Sequence, residues 1–296
     1  MKKQPVKKKA KRTPSFKIVT AKRAGFCFGV KRAIDITTDM ARSDKKGIFT
    51  LGPIIHNPQV IERLKEEGIY PINADDLDKK NIGALIIRTH GIPNQLYENI
   101  AARAFRLVDA TCPFVKKAQR YAKLLKENGY QVVILGDINH PEVKGLMSYA
   151  GSDVLVVDEN TRLKGLRSKV GVIVQTTQPL AALKKVLSQV VEVAKEVKVY
   201  NTICNSTALR LRETEIMSHK VDVMLVLGGK NSANTSQLAD LCRDLDVTTY
   251  HIETASEIRE EWLNNAKTVG ITAGASTPDW IIREVELRLR DIGGKL

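Results

Sequence analysis

The sequence predicts an α/β protein made of three pseudo-threefold-related α/β domains, a trefoil around one shared centre. Three observations carry this expectation. Short β-branched runs alternate with stretches of helical period along most of the chain, the pattern of parallel sheets covered by helices. A strand–cysteine–helix segment occurs three times, at Cys27, Cys112 and Cys204. Two further loop patterns then follow each cysteine at similar distances. The expected organisation is a basic tail at 1–15 and α/β domains at 16–104, 105–195 and 196–296, the last with a C-terminal helix.

The tail accounts for most of the charge. The chain of 296 residues has a net charge of +14, and residues 1–23 hold ten basic side chains and no acid. About +4 is left for residues 24–296. The segment MKKQPVKKKAKRTP lacks the apolar stretch of a secretory signal and reads as a disordered solubilising arm. No apolar run approaches the ~18 residues of a membrane span. Four cysteines in so long a chain do not make a disulfide scaffold, which points to a reducing, cytoplasmic setting.

The first element of each repeat is a short strand that stops before the cysteine: FKIVTAKRAGFC, FRLVDATC and EVKVYNTIC. A helical stripe then begins, with Val30, Ala33, Ile34 and Thr37 in one copy and Val115, Ala118, Ala122 and Leu125 in another. Pro113 suits a first helical turn. The second element is a strand, a glycine and a polar loop: GIFTLGPIIHNPQV, YQVVILGDINHPEV and DVMLVLGGKNSANT. Gly52, Gly136 and Gly228 stand 25, 24 and 24 residues after their cysteines. The third is ALIIRTHGIP, VGVIVQTTQP and VGITAGASTP, with His90, Thr176 and Ser276 at offsets of 63, 64 and 72 and a proline heading the next helix. Ligands of open α/β sheets bind at the carboxyl ends of strands, so all three units aim their loops at the centre.

Three cysteines at one strand-to-helix junction, repeated about an axis, read as ligands rather than as core packing. Helix N-termini favour thiolates. A structural zinc takes four ligands. Three thiolates with an open position suit a [4Fe-4S] cluster with one open iron. Cys242, in QLADLCRDL, lies outside the repeat and reads as core.

The six polar loops carry His56, His90, His140, Glu142, Thr176, Ser232, Asn234 and Ser276. Histidines, hydroxyls and amides beside helix N-termini make a cradle for a phosphate or diphosphate. Neither a P-loop nor a GxGxxG motif is present. Glu142, beside His140, is the natural proton donor of these loops, with Thr176 as a hydroxyl relay. Asp109 is expected to order the backbone before Cys112, and His219 and His251 to lie on the surface.

Taken together, GFCFGVKRAID, HNPQVIERLKEEG, DATCPFVKKA, NHPEV, QTT, KNSANT and TAGASTPDW resemble the 4-hydroxy-3-methylbut-2-enyl diphosphate reductases, over residues 17–292. The resemblance implies reductive dehydroxylation of that allylic diphosphate to isopentenyl and dimethylallyl diphosphate, the last step of the methylerythritol phosphate route to isoprenoids. It implies a trefoil around a central iron–sulfur cluster of the [4Fe-4S] type held by Cys27, Cys112 and Cys204. It further implies substrate binding by His56, His90, His140, Thr176, Ser232, Asn234 and Ser276, with Glu142 as proton donor and a ferredoxin or flavodoxin-type electron donor. Two positions depart from the family pattern: Ala233 replaces a common serine, and Leu211 a glutamine. A quinolinate-synthase-like three-cysteine [4Fe-4S] enzyme is the alternative. A nucleic-acid-binding role finds no RRM, KH or helix-turn-helix signature to support it.

Overall fold

Parallel pairing organises the chain into three separate sheets. The structure is a computed structural model that describes residues 15–43 and 47–295, so the expectation for the tail falls on residues 1–14, outside the described residues. The elements run β1 (Phe16–Thr20), α1 (Phe28–Ser43), β2 (Ile48–Leu51), α2 (Pro58–Glu66), β3 (Ile69–Ile72), β4 (Ala84–Ile87), α3 (Asn94–Ala101), β5 (Arg106–Asp109) and α4 (Pro113–Glu127). They continue with β6 (Gln131–Leu135), α5 (Pro141–Ala150), β7 (Leu155–Val157), β8 (Lys169–Val174), α6 (Leu180–Val193), β9 (Glu196–Tyr200) and α7 (Asn205–Ser218). The third unit ends the chain: β10 (Val223–Leu227), α8 (Ala233–Asp244), β11 (Thr248–Ile252), β12 (Thr268–Ala273), α9 (Asp279–Ile292) and β13 (Gly294–Lys295).

The strand orders are β3-β2-β4-β5, β7-β6-β8-β9 and β11-β10-β12-β1-β13. Central strands are apolar throughout because both faces are covered. In β6, Val133 and Leu135 pack into one cluster and Val132 and Ile134 into another on the opposite face. β10 divides in the same way, Leu225 and Leu227 on one side and Met224 and Val226 on the other. The helical stripe read from the sequence is the buried face of α4: Val115, Ala118, Ala122 and Leu125.

The sheets are offset from the sequence repeat by one strand. β5 pairs with β4, from Ala84↔Arg106 to Ile87↔Asp109, and β9 pairs with β8. β1 pairs with β12, from Lys17↔Thr268 to Thr20↔Ile271. Each pre-cysteine strand thus completes the sheet of the preceding unit, and β1 completes the third. Boundaries at 104/105 and 195/196 would cut between hydrogen-bonded strands, so each unit's sheet extends one strand further. The physical reason is that a strand and the helix after it are joined covalently across a loop, whereas sheet membership is set by lateral hydrogen bonds that the local pattern does not record.

Candidate functional site

Nine strand ends deliver nine loops to the centre, and the cysteines anchor three of them through one repeated hydrogen bond. The Cys112 N–H donates to the Thr89 carbonyl at 2.9 Å, that of Cys204 to Thr176 at 2.9 Å, and that of Cys27 to Ala275 at 3.1 Å. Cys112 and Cys204 are the N-terminal caps of α4 and α7, and Cys27 directly precedes α1. All three are half-buried and line one cavity of about 110 Å³. Close approach needs Gly29: a Cβ there would sit 2.5 Å from the Cys112 Sγ.

The donor set fits a metal-rich group. Burial pushes the Cys112 thiol up to about 11, offset in part by the backbone N–H groups of Phe114 and Val115 and reinforced by Cys27 and Cys204. Cys204 is raised in the same way, with Ser206 and Thr207 donating to it. Three converging thiolates need a positive group between them, and a bound metal deprotonates coordinating thiols outright. Cys242 is fully buried in α8 and accepts from the Ser218 hydroxyl, as core.

Across the cavity, His56, His90 and His140 form a triad with ring centroids 4.5, 5.4 and 5.8 Å apart. His56 and His140 stand at the starts of α2 and α5. The His140 Nδ1 accepts from the Glu142 N–H at 3.2 Å, which leaves its proton on Nε2, toward a ligand. Burial lowers the pKa of all three, with that of His140 brought to about 4 and that of His90 well below the usual range. Their ligating nitrogens lie within 4.8 Å of one another, close enough for a metal ion. Arg88 decides against a cation: its charge bears on every member of the triad. Among the described residues, the buried donors Asn57 Nδ2 and Asn234 Nδ2 have no acceptor, and His56 Nε2 is buried without a hydrogen-bond partner. Unmet donors beside a cationic group call for an anion.

The third unit closes this anion site. Ser232 caps α8 by accepting from the Thr235 N–H. The Asn234 Oδ1 accepts from the Ala275 N–H at 2.9 Å, which leaves its amide nitrogen for a ligand. The Ser276 hydroxyl donates to the His56 carbonyl at 3.2 Å and ties the third unit to the first. Ala233 lines the cavity with no polar side chain.

Glu142 sits at the first turn of α5, buried to 2% exposure. One carboxylate oxygen accepts from the Thr176 N–H at 2.7 Å and the other from the Thr176 hydroxyl at 2.8 Å. Burial raises its pKa to about 7 against those two bonds. A carboxyl poised near neutrality beside a threonine hydroxyl can hold and deliver a proton.

The structure therefore brings all the expected site residues to one cavity. The alignment of the third loops shifts. Counted from the strand end, Thr89, Thr176 and Ala275 are equivalent, as their cysteine bonds show, and His90 matches Thr177 and Ser276. Thr177 also lines the cavity and was missed because the first of these loops is one residue longer. Arg88 was missed as well; its signal is an arginine directly after the apolar run ALII. Arg210 is buried to 2% and donates to the Gly25 and Ala273 carbonyls, fixing the approach to Cys27. Asp109 does order its turn, accepting from Thr111 N–H and pairing with Lys116. His219 is exposed as expected, but His251 is half-buried and hydrogen-bonded to the Gly228 carbonyl at 2.9 Å.

The family model described as LytB protein matches residues 18–290. A protein of Pelobacter propionicus named 4-hydroxy-3-methylbut-2-enyl diphosphate reductase is 49% identical over 281 residues, covering 94% of this chain and 99% of that protein. One of Geobacter sulfurreducens with the same name is 48% identical, covering 94% and 98%. A solved structure of (E)-4-hydroxy-3-methyl-but-2-enyl diphosphate reductase, described as the terminal enzyme of the non-mevalonate pathway, is 41% identical with a TM-score of 0.69, covering 93% of this chain and 99% of that one. The corresponding Plasmodium falciparum structure, 24% identical, shares the fold with a TM-score of 0.86 over 95% of this chain and 92% of its own. These matches do not favour a quinolinate-synthase-like reading. With a family model spanning most of its length and relatives near half identical across almost all of theirs, the chain belongs to the LytB family.

Proposed function

We propose that this protein reduces 4-hydroxy-3-methylbut-2-enyl diphosphate to isopentenyl and dimethylallyl diphosphate with release of water. The observation that carries the reading is one cavity with three convergent thiols on one side and, on the other, a histidine–serine–asparagine anion site beside a buried carboxyl poised near neutrality. Family membership supplies the substrate.

Cys27, Cys112 and Cys204 would hold the [4Fe-4S] cluster, with one iron left open. When bound, the cluster supplies the two electrons of the reduction and a Lewis-acidic position for the substrate oxygen. The chain's own residues do the rest. His56, His90, His140, Ser232, Asn234 and Ser276 bind the diphosphate and fix the allylic chain across the cavity. Glu142 holds a proton, and the Thr176 hydroxyl lies between it and the leaving oxygen. The carbon–oxygen bond breaks as that oxygen takes the proton and leaves as water. Two electrons and a second proton complete the balance, and the end of the allyl unit that receives that proton decides the product. A ferredoxin or flavodoxin-type protein is the proposed electron source, and the cytoplasm the proposed setting. Among the described residues no helix is long and apolar enough to cross a membrane.

The test is an anaerobic assay with chemically reduced, iron-loaded protein and the hydroxymethylbutenyl diphosphate. Formation of both isoprenoid diphosphates is expected. Turnover of iminoaspartate instead, or no product, defeats the reading. Cys112→Ser should lower bound iron and bleach the visible absorption band; an unchanged spectrum argues against ligation.

A further inference from the structure

The cavity has a charge problem. A diphosphate carries several negative charges at neutral pH, yet among the described residues neither lysine nor arginine lines the walls. Burial keeps the three histidines in their neutral forms. Ser232, Asn234 and Ser276 offer hydrogen bonds but no net charge. Partial positive charge comes from the starts of α2, α5 and α8.

A full positive charge stands directly behind the wall. Arg88 follows β4, and its guanidinium lies over Gly52, where a Cβ would sit 2.9 Å from Nη1 and 3.5 Å from Cζ. Gly52 also has φ +70°, a backbone that a side chain resists, so the room is built in. The Arg88 Nε is buried without a hydrogen-bond partner, and no carboxylate of the described residues pairs with the side chain. A half-buried guanidinium with no counter-ion is costly unless an anion completes it.

The repeat supplies an internal control. The position after the strand end is Arg88 in the first sheet, Gln175 in the second and Gly274 in the third. Gln175 packs against Gly136 as Arg88 does against Gly52. Its amide is fully used within the fold: Oε1 accepts from the Asp137 N–H at 3.0 Å and Nε2 donates to the Thr177 hydroxyl at 3.1 Å. In the two sister sheets a neutral side chain or none fills this position, so the shared design of the sheets does not itself call for a charge there.

We infer that Arg88 is the fixed cation of the anion site, a positioning residue whose guanidinium, seated against Gly52 behind His56, His90 and His140, holds the diphosphate end of the substrate. The inference rests on the diphosphate reading above, and its test separates the two.

Inorganic diphosphate is titrated calorimetrically into anaerobic, iron-loaded protein at pH 8, where the histidines stay neutral, and KM and kcat are measured in parallel. In Arg88→Gln, the Kd for diphosphate and the KM should both rise about tenfold or more, with kcat within about threefold of wild type. Arg88→Lys should recover both constants to within about threefold. An unchanged Kd in folded R88Q overturns the inference, as does a fall in kcat at constant KM or an equal weakening in R88K. If R88Q does not fold, R88K decides: near-wild-type diphosphate affinity supports the role and a tenfold loss overturns it. Failure of both variants to fold makes Arg88 a scaffold residue and ends the proposal. A wild-type protein that binds diphosphate through Arg88 but does not turn over the allylic substrate would sink the functional reading and leave this inference standing.

Discussion

Glu142 owes its chemistry to two contacts and a wall of protein. Its oxygens both rest on Thr176, and desolvation lifts its pKa to about 7. A group raised in this way is protonated below that value, so turnover that draws on its proton should fall as pH climbs through about 7. Glu142→Gln keeps the shape and should cut kcat by ~10² or more while leaving bound iron and substrate affinity in place; near-normal turnover would refute the role. The stability sign follows from the same shift. A raised carboxyl pKa makes ionisation costly in the folded state, so stability is fully present below the ordinary carboxyl value and declines as pH rises toward 7. The Gln variant should therefore melt higher than wild type at pH 8 and level with it near pH 4.5. A melting difference that ignores pH would show that the carboxylate is not desolvated. At this scale the sequence was informative where chemistry is local: NHPEV already places Glu142 at a helix start, next to His140. Arg88 was not legible, because its meaning depends on Gly52 approaching from a neighbouring strand end and on the histidines that gather in front of it.

Helix starts are the recurrent device. Six of them, those of α1, α4 and α7 at the cysteines and those of α2, α5 and α8 at the polar loops, bring N–H groups to one cavity. Ala233 is the first residue of α8 and lines that cavity, between Ser232 and Asn234. Ala233→Ser places a hydroxyl at the anion site and should lower the KM by up to about fivefold, the worth of one ~1 kcal/mol hydrogen bond, without altering kcat. A KM that does not move would show that a backbone N–H already fills that place. The buried faces of the cysteine helices were legible in the sequence, since a 3.6-residue stripe is written within one segment. Sheet membership was not legible, because β5 and β9 lie next to the cysteine helices in sequence but bond laterally to β4 and β8.

Across the whole molecule, three sheets of one design enclose a centre to which each contributes a different chemistry. The first and second bring the histidines, the second the carboxyl, and the third the serine and asparagine side chains. The symmetry was legible because cysteines, glycines and prolines recur at near-constant spacing; the division of labour was legible only where loops carry distinctive residues. One test belongs here. Ile18 is buried in the core of the third sheet although it sits near the start of the described chain. Ile18→Ala should speed amide exchange in β10 and β12 well before β2 and β4, with a cost of about 2–5 kcal/mol. Faster exchange in β2 instead would place β1 with the first unit.

The lateral bond between β1 and β12 also sets a timetable for synthesis. β1 is made before either of the other sheets, yet its partner strand β12 follows both of them in the chain. At ~5–20 residues per second that is a wait of roughly 10–50 s, during which an apolar strand has no neighbour. The first two sheets are built from consecutive strands, so only the third depends on a segment made long before the rest of it.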